Sequence, residues 1–219
     1  VHKATLHNGK KVVIKIQRPN VKQQFEEDID ILNYLAYKIE QRLKNNAFNP
    51  VAIIQEFERY TKNELNFIIE ASNIDKFYNN FKNSNTVHIP KVHWLYTKEK
   101  IVVMDYLEGE KLSEIKKISE KDRKIIAERI MDATLKQLFE HRLFHADLHP
   151  GNILLMPNNI IGLLDFGIIG NLSQEQLSQM LKVYVGILNN DADNVVETLL
   201  SLGLRSEETN IDAFKTDIN

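Results

Sequence analysis

The stretch FHADLHPGNILLMPNNIIGLLDFG, residues 144–167, decides the fold. Two short apolar runs, 153–156 and 160–164, are separated by Pro157-Asn158-Asn159, which predicts two short strands joined by a turn. Histidine, aspartate, glycine and asparagine residues crowd the segment before the first strand, and an aspartate follows the second. A turn, a metal site and a catalytic loop are all compatible with such a segment.

The spacing of three polar residues favours the catalytic loop. Asp147 and Asn152 are five positions apart, as in the D-x-x-x-x-N template for phosphoryl transfer. That chemistry needs a carboxylate near the attacking hydroxyl and a neutral oxygen ligand for Mg²⁺. Asp165, in Asp165-Phe166-Gly167, supplies a second metal carboxylate. A lone D-F-G is a weak signal, but the three residues in this order are a strong one. We therefore predict that Asp147 is catalytic and that Asn152 and Asp165 bind the metal.

A different metal site in the same loop is the competing hypothesis. His145, Asp147 and His149 form H-x-D-x-H, which could ligate zinc or iron. No further carboxylate cluster nearby completes such a site, and Asn152 and the D-F-G would be left without a role. We expect His145, and with it His149, to brace the loop backbone instead.

Lys15 lies in the run VVIKI, which reads as a strand with buried apolar neighbours. Taken alone, the run predicts an edge strand whose lysine points into solvent. A strand lysine can also hold nucleotide phosphates when a helix carboxylate fixes its ammonium group. The segment by itself leaves both interpretations open.

Two hairpins are predicted in the first half of the chain. Asn8-Gly9 predicts a tight turn, with both residues at positive φ, between strands at 3–7 and 11–17. Two β-rich runs flank residues 98–100, which predicts a second hairpin.

Helices are predicted to surround these strands. Asn20 is expected to cap a helix that extends to about residue 43, and a second helix is predicted from Asn49-Pro50 to about residue 81. Glu64 and Glu70 would lie about 120° apart around that second helix, since they are six positions apart. We therefore expect the two carboxylates to serve different partners.

The pattern becomes mainly helical in the second half. A long amphipathic helix is predicted after Ser119. Ser173 and Gln176 stand in the capping-box positions of another helix, and further helix is predicted from about Asp193.

Composition restricts the class of protein. The 219 residues include 28 basic and 30 acidic side chains, a net charge of −2 that shows no footprint for nucleic acid. The chain has no cysteine, which excludes disulfides and thiolate metal sites. No apolar run approaches the ~18 residues of a spanning helix. The chain begins at Val1 inside an apparent hairpin, and we interpret it as a fragment whose upstream part is missing.

Four strings in the chain resemble the UbiB/AarF family of atypical kinases, also called ADCK proteins. They are VVIKIQRPNV (12–21), NELNFIIEASN (63–73), FHADLHPGNILL (144–155) and LLDFGIIGNLS (163–173). A standard protein kinase would have H-R-D and A-P-E motifs, and no A-P-E follows the D-F-G here. The resemblance covers nearly the whole chain. It implies an α+β, bilobal protein-kinase-like fold with a small β-rich N-lobe, long inserted helices and a mainly helical C-lobe.

The expected boundary between the lobes lies near residues 107–109, where strand gives way to helix. We predict an N-lobe over 1–108 and a C-lobe over 109–219. By the same resemblance, the family's K-x-G-Q segment and alanine-rich loop are expected to precede Val1, and the C-lobe is expected to be incomplete.

The resemblance also assigns roles to particular residues. Lys15 matches the phosphate-contacting lysine, and Glu70 matches the glutamate that pairs with it, so both join Asp147 in the predicted catalytic set. Glu64 heads the family's E-x-D motif, in which the third position is Asn66 here. Glu64 is expected to have a regulatory role through a lysine of the K-x-G-Q segment.

The run VVMDYLEG, residues 102–109, resembles the hinge between kinase lobes. Its backbone N–H and C=O groups would contact adenine, with Met104 at the back of the pocket. The predicted nucleotide-binding residues are Lys15, Met104, Asp105, Tyr106, Leu107, Asn152 and Asp165.

The resemblance implies an ATP- or ADP-binding, Mg²⁺-dependent atypical kinase or ATPase that supports ubiquinone or menaquinone biosynthesis. The expected partners are a nucleotide, membrane lipids or quinone precursors, and quinone-biosynthesis proteins, but no nucleic acid. We expect peripheral association with the cytoplasmic face of a bacterial membrane, the fragment itself being soluble.

Two alternatives of other kinds stay open. HADLHPGN is close to the H-G-D-x-H-x-x-N loop of aminoglycoside and choline phosphotransferases. The IQRP string after Lys15 and the helices with Glu64 and Glu70 favour the UbiB type instead. A nucleotide-binding regulator without catalytic activity is the other alternative, and the intact set of polar residues argues against it.

Overall fold

The computed structural model describes residues 1–42 and 49–201, except for the side chains of Tyr60 and Glu64. Its strands are β1 (His2–Thr5), β2 (Lys11–Ile16), β3 (Val87–His88), β4 (Ile101–Asp105), β5 (Glu110–Lys111), β6 (Leu143–His145), β7 (Ile153–Met156), β8 (Ile160–Leu163) and β9 (Ile169–Asn171). Its α-helices are α1 (Val21–Glu40), α2 (Pro50–Glu64), α3 (Phe67–Phe81), α4 (Glu120–Leu135), α5 (Gln174–Leu188) and α6 (Ala192–Ser201). This mixture confirms the predicted α+β class.

The first sheet has the strand order β1-β2-β4, with both pairs antiparallel. Val13 pairs with Met104 and Lys15 pairs with Val102. Because side chains alternate along a strand, Val13 and Lys15 lie on the same face of β2. The opposite face of β2 carries Val12, which is fully buried.

The first hairpin forms, but its turn is not the predicted one. Thr5 pairs with Lys11, so the connection is longer than two residues. Gly9 has φ +83, whereas Asn8 does not adopt positive φ. The Asn8 carboxamide oxygen instead accepts a hydrogen bond from the Lys10 N–H at 3.1 Å. Glycine alone therefore takes the left-handed position that a longer hairpin loop requires.

The single helix predicted from residue 50 to about 81 is wrong. The chain leaves helical geometry at Asn66, whose φ of −109° and ψ of 98° are extended. The Asn66 side chain accepts from the Ile68 N–H at 3.0 Å and caps the new helix α3. Glu64 thus ends one helix and Glu70 lies in the first turn of the next. The angle of about 120° between them, calculated for one helix, does not apply.

Of two further predictions about the first half, the cap at Asn20 is wrong and the second hairpin forms only in part. Asn20 precedes α1 but has φ 61 and makes no side-chain cap. In the predicted second hairpin, only isolated bridges form, Val92 with Met104 and Lys98 with Ile101. The strand Val87–His88 pairs in parallel with β8 instead. Pro90 and the 3₁₀ turn Trp94–Tyr96 interrupt the run, so a continuous ladder with β4 cannot form.

The second half follows its predictions closely. Strands β7 and β8 are antiparallel, with Ile153 opposite Leu163, and belong to a sheet of order β3-β8-β7-β5. Ser119 caps α4, and the capping box of Ser173 and Gln176 is complete. After α4 the chain continues as a π-helical turn, Lys136–His141. The helix predicted from about residue 193 is α6, and its predicted extension beyond residue 201 lies outside the described residues.

One hydrophobic cluster joins the first sheet, α3 and the β7–β8 hairpin. Its members include Ile74, Phe77, Val102, Ile161 and Phe166. The cluster spans both sides of the boundary predicted at residues 108 and 109, and that boundary stays a prediction. None of the helices that the structure describes has the length and apolar character needed to cross a bilayer.

Replacing Asn66 with Ala should lower the free energy of unfolding by about 1 kcal/mol, because α3 loses the acceptor for its first N–H groups. Asn66→Asp keeps an acceptor and adds a negative charge at the helix N-terminus, so it should be at least as stable as the wild type. Urea unfolding followed by circular dichroism measures both. Equal stability of Asn66→Ala and the wild type would contradict the capping role.

Candidate active site

A cavity of about 490 Å³ lies between β2, the segment after β4 and the β7–β8 hairpin. It is lined by all the residues predicted to bind nucleotide, which are Lys15, Met104, Asp105, Tyr106, Leu107, Asn152 and Asp165. Glu70 also lines it. Residues far apart in the sequence are therefore brought to one site, although their individual roles stay predictions.

Lys15 and Glu70 form the ion pair that the sequence predicted. The Lys15 Nζ donates to both carboxylate oxygens of Glu70, at 2.8 and 3.0 Å. Glu70 is 2 % exposed, so its carboxylate is shielded from water, whereas the Lys15 side chain is 24 % exposed. The same ammonium group also lies 3.3 Å from Asp165 Oδ1. Lys15 therefore connects α3 to the aspartate of the D-F-G segment.

The electrostatic surroundings keep Lys15 charged. Burial of the ammonium group by itself would lower the pKa of Lys15. The negative charges of Glu70 and Asp165, which also accept its hydrogen bonds, outweigh this effect and raise the pKa above its ordinary value. A permanent positive charge thus faces the cavity.

His145 braces the loop, as predicted. Its Nδ1 accepts from the Asp147 N–H at 3.2 Å, and its Nε2 lies 2.8 Å from the Leu164 carbonyl, which requires the proton on Nε2. His149 similarly accepts from the Gly151 N–H through Nδ1 at 3.0 Å. Since both ring nitrogens of His145 are engaged with backbone, the H-x-D-x-H metal site is disfavoured. The described residues contain no cluster of His, Asp and Glu arranged to hold a metal.

Asn152 connects the catalytic loop to the D-F-G segment. Its amide Nδ2 donates to the Asp147 carbonyl at 3.0 Å and to Asp147 Oδ2 at 3.3 Å. Its backbone carbonyl accepts from the Leu164 N–H at 2.9 Å. Asp147 itself stays half exposed, with 49 % of its side chain accessible. A carboxylate held in place yet open to solvent suits a reaction with a group that approaches from outside.

The side-chain oxygen atoms of Asn152 and Asp165, which both line the cavity, fit a hard cation. The Asn152 amide directs its nitrogen toward Asp147, which leaves its oxygen for a ligand. The Asp165 carboxylate is 50 % exposed and lines the same cavity. Amide and carboxylate oxygens are the donors that Mg²⁺ prefers. The donor set therefore fits the predicted metal.

In the predicted hinge, residues 105–107, hydrogen bonds within the protein already occupy two of the three backbone N–H groups. The N–H of Asp105 donates to the Lys91 carbonyl at 2.9 Å, and that of Tyr106 donates to the Lys11 carbonyl at 3.3 Å. In the described part of the chain, the N–H of Leu107 has no such partner. Val13 and Leu154 line the same cavity as Leu107 and provide apolar walls for it.

Two buried amide side chains hydrogen-bond to backbone groups of the site, and neither contact was predicted from the sequence. Asn73 donates to the Phe166 carbonyl at 3.0 Å, and the Gln137 side-chain oxygen accepts from the His145 N–H at 2.8 Å. Both are among the buried polar residues. Their only signal in the sequence is a neutral polar residue within an otherwise apolar helix face.

The side chain of Glu64 lies outside the described residues, so its regulatory role stays a prediction.

Comparison with known sequences gives a consistent result. The family described as the ABC1 atypical kinase-like domain matches residues 1–199. A probable protein kinase UbiB of Shewanella piezotolerans is 34 % identical over 224 residues, which cover 98 % of this chain and 41 % of the relative. The chloroplastic protein Activity of BC1 Complex Kinase 7 of Arabidopsis thaliana is 33 % identical over 204 residues, which cover 92 % of this chain and 29 % of the relative. The chain thus spans well under half the length of these curated relatives.

A solved structure shares the fold. The complex of Rv3197 with erythromycin from Mycobacterium tuberculosis superposes with a TM-score of 0.73 at 22 % identity, covering 95 % of this chain and 53 % of that one. The likeness extends to the fold alone. Together with the family match, it confirms the predicted kinase-like architecture.

Replacing Lys15 with Met should lower the free energy of unfolding by about 3 kcal/mol, because the Glu70 carboxylate stays in the interior without the ammonium group. Adding Glu70→Gln should recover most of this loss, since the buried negative charge is then removed as well. Lys10→Met is the matched control, because Lys10 pairs with Asp105 at 2.8 Å but is 45 % exposed. It should cost less than about 1 kcal/mol. Chemical denaturation measures all three, and equal losses for Lys15→Met and Lys10→Met would contradict the buried pair.

Proposed function

The chain belongs to the ABC1 atypical kinase-like family, and from this premise we propose that it binds Mg-ATP or Mg-ADP and acts as an atypical kinase or ATPase. The observation that carries the proposal is the convergence of Lys15, Asn152 and Asp165 on one cavity beside the hinge. A site for a nucleoside triphosphate requires positive charge, metal-binding oxygen atoms and a slot for a flat ring, and this cavity offers all three.

Each residue has a defined task in this proposal. Lys15, oriented by Glu70, contacts the phosphates. Asn152 and Asp165 hold Mg²⁺, which when bound neutralises charge on the phosphate oxygens. Asp147 accepts the proton of the attacking hydroxyl or water, and its exposed carboxylate lets that acceptor approach from solvent. The tasks are mainly positioning and charge stabilisation, as expected for phosphoryl transfer.

The base is held at the hinge. The Leu107 N–H donates to the adenine edge, and Val13 and Leu154 contact the two faces of the ring. Met104 closes the back of the pocket, where it is 8 % exposed. The Tyr106 N–H takes no part in this contact because it is bonded to the Lys11 carbonyl.

For the whole protein we infer a role in ubiquinone or menaquinone biosynthesis at the cytoplasmic face of a bacterial membrane. The four strings that resemble the UbiB family and the relatives named UbiB support this inference. Membrane lipids, quinone precursors and quinone-biosynthesis proteins are the proposed partners. Phosphate release by the whole protein, with and without vesicles that contain quinone-precursor lipids, tests it. An equal rate of phosphate release with and without these vesicles would contradict the lipid-linked role but not the nucleotide site.

Asp165→Asn should weaken Mg²⁺-dependent binding of a fluorescent ADP analogue by about tenfold or more, because a full charge facing the cation is lost. Asp147→Asn is the control, since Asp147 lies outside the cavity lining. It should keep the affinity within about twofold and abolish phosphate release. Unchanged Mg²⁺-dependent affinity in Asp165→Asn would disprove the metal assignment. Full phosphate release by Asp147→Asn would disprove its catalytic role.

A further inference from the structure

One face of helix α3 contacts two separate parts of the site. Glu70, Asn73 and Phe77 are spaced three and four positions apart, so they lie along the same face. Glu70 binds the ammonium group of Lys15, and Asn73 donates to the Phe166 carbonyl. The ring of Phe77 packs on the ring of Phe166 with centroids 4.8 Å apart. The D-F-G segment is thus held to α3 through both its backbone and its aromatic side chain.

The residue beside this contact has an unfavourable backbone conformation. Asp165 has φ +55, which lies in the left-handed region. This region is disfavoured for residues other than glycine, and aspartate and asparagine adopt it most often, so surrounding contacts help to hold the backbone there. The two residues that flank Asp165 are Leu164 and Phe166, and the backbone carbonyl of each accepts a hydrogen bond from a buried side chain. His145 donates to the Leu164 carbonyl at 2.8 Å, and Asn73 donates to the Phe166 carbonyl at 3.0 Å.

The buried surroundings explain why position 73 carries an amide. Asn73 is 5 % exposed and Phe166 is fully buried. A carbonyl in such surroundings is costly without a donor, because water cannot replace the lost hydrogen bond. An apolar side chain of the same size would fill the space equally well but would leave the Phe166 carbonyl unsatisfied. The amide is therefore explained by this backbone contact rather than by packing.

We propose that Asn73 is a positioning residue for the metal site. Its amide keeps Asp165 in the left-handed conformation, with the carboxylate directed to Lys15 and the cavity. Because Glu70 and Asn73 belong to one rigid helix, α3 holds the phosphate-binding lysine and the metal-binding aspartate in a fixed relation. The metal part of this inference rests on the proposed function, whereas the hold on the backbone does not.

The first test measures the Mg²⁺ concentration that half-saturates binding of a fluorescent ADP analogue. Asn73→Leu, which keeps the volume but removes the donor, should raise this concentration about tenfold. Affinity for the same analogue in excess EDTA should change less than about twofold. Asn73→Ala should agree with Asn73→Leu, since the missing donor and not the volume is responsible. Equal losses with and without Mg²⁺, or no loss, would overturn the proposal.

Two control variants on α3 separate positioning from general stability. Asn79→Ala removes an exposed amide that donates to the Asp75 carbonyl at 2.9 Å. Phe81→Leu weakens the buried packing of Phe81 against His141, away from the D-F-G segment. Both should leave the Mg²⁺ requirement unchanged, although Phe81→Leu should melt at lower temperature. An equal rise in the requirement for Phe81→Leu would show that loss of stability suffices, and the proposal would fail.

The second test needs neither metal nor nucleotide. Hydrogen exchange of the Phe166 and Gly167 amides should become faster in Asn73→Leu, while exchange in the core of α4 stays as in the wild type. Uniform acceleration throughout the chain would mean a structural role only and would overturn the proposal. If the wild type fails to bind nucleotide with Mg²⁺, the proposed function fails, and the exchange result alone decides whether Asn73 holds Asp165.

Discussion

The buried ion pair between Lys15 and Glu70 is the constraint on which the rest of the site depends. A carboxylate that is 2 % exposed is tolerated only when a positive charge and hydrogen bonds balance it. That requirement holds the Lys15 ammonium group, on β2, within hydrogen-bond distance of the Glu70 carboxylate in the first turn of α3. The ammonium group also contacts Asp165, so the same lysine links the first sheet to the D-F-G segment.

The loops of the site gain their order mainly from side chains that bond to backbone. His145, Asn152 and Asn73 each hold a backbone group of the catalytic loop or the D-F-G segment. These three side chains are buried, and their bonds hold two segments of the predicted site that have little regular structure. Asp147 and Asp165 are thereby placed accurately while their carboxylates stay half exposed and open to ligands.

The fold and the site support the function at different levels. A kinase-like architecture is shared by proteins with different chemistry, so it does not by itself establish turnover. The arrangement of Lys15, Glu70, Asn152 and Asp165 is more specific, because it combines a fixed positive charge with oxygen donors in one cavity. The chain spans only part of its curated relatives, and the pathway therefore belongs to the proposal for the whole protein.

The sequence by itself determined the features that depend on neighbouring residues. The β7–β8 hairpin, the capping box at Ser173 and the spacing of the catalytic loop could all be predicted, because turn chemistry and capping act over a few positions. Only the tertiary structure decided the rest. The helix break at Asn66 depended on whether a local cap outweighs a continuous helical pattern, which periodicity cannot resolve. The Asn73 contact joins residues 93 positions apart, so no local pattern encodes it, and only the packed interior makes that amide necessary.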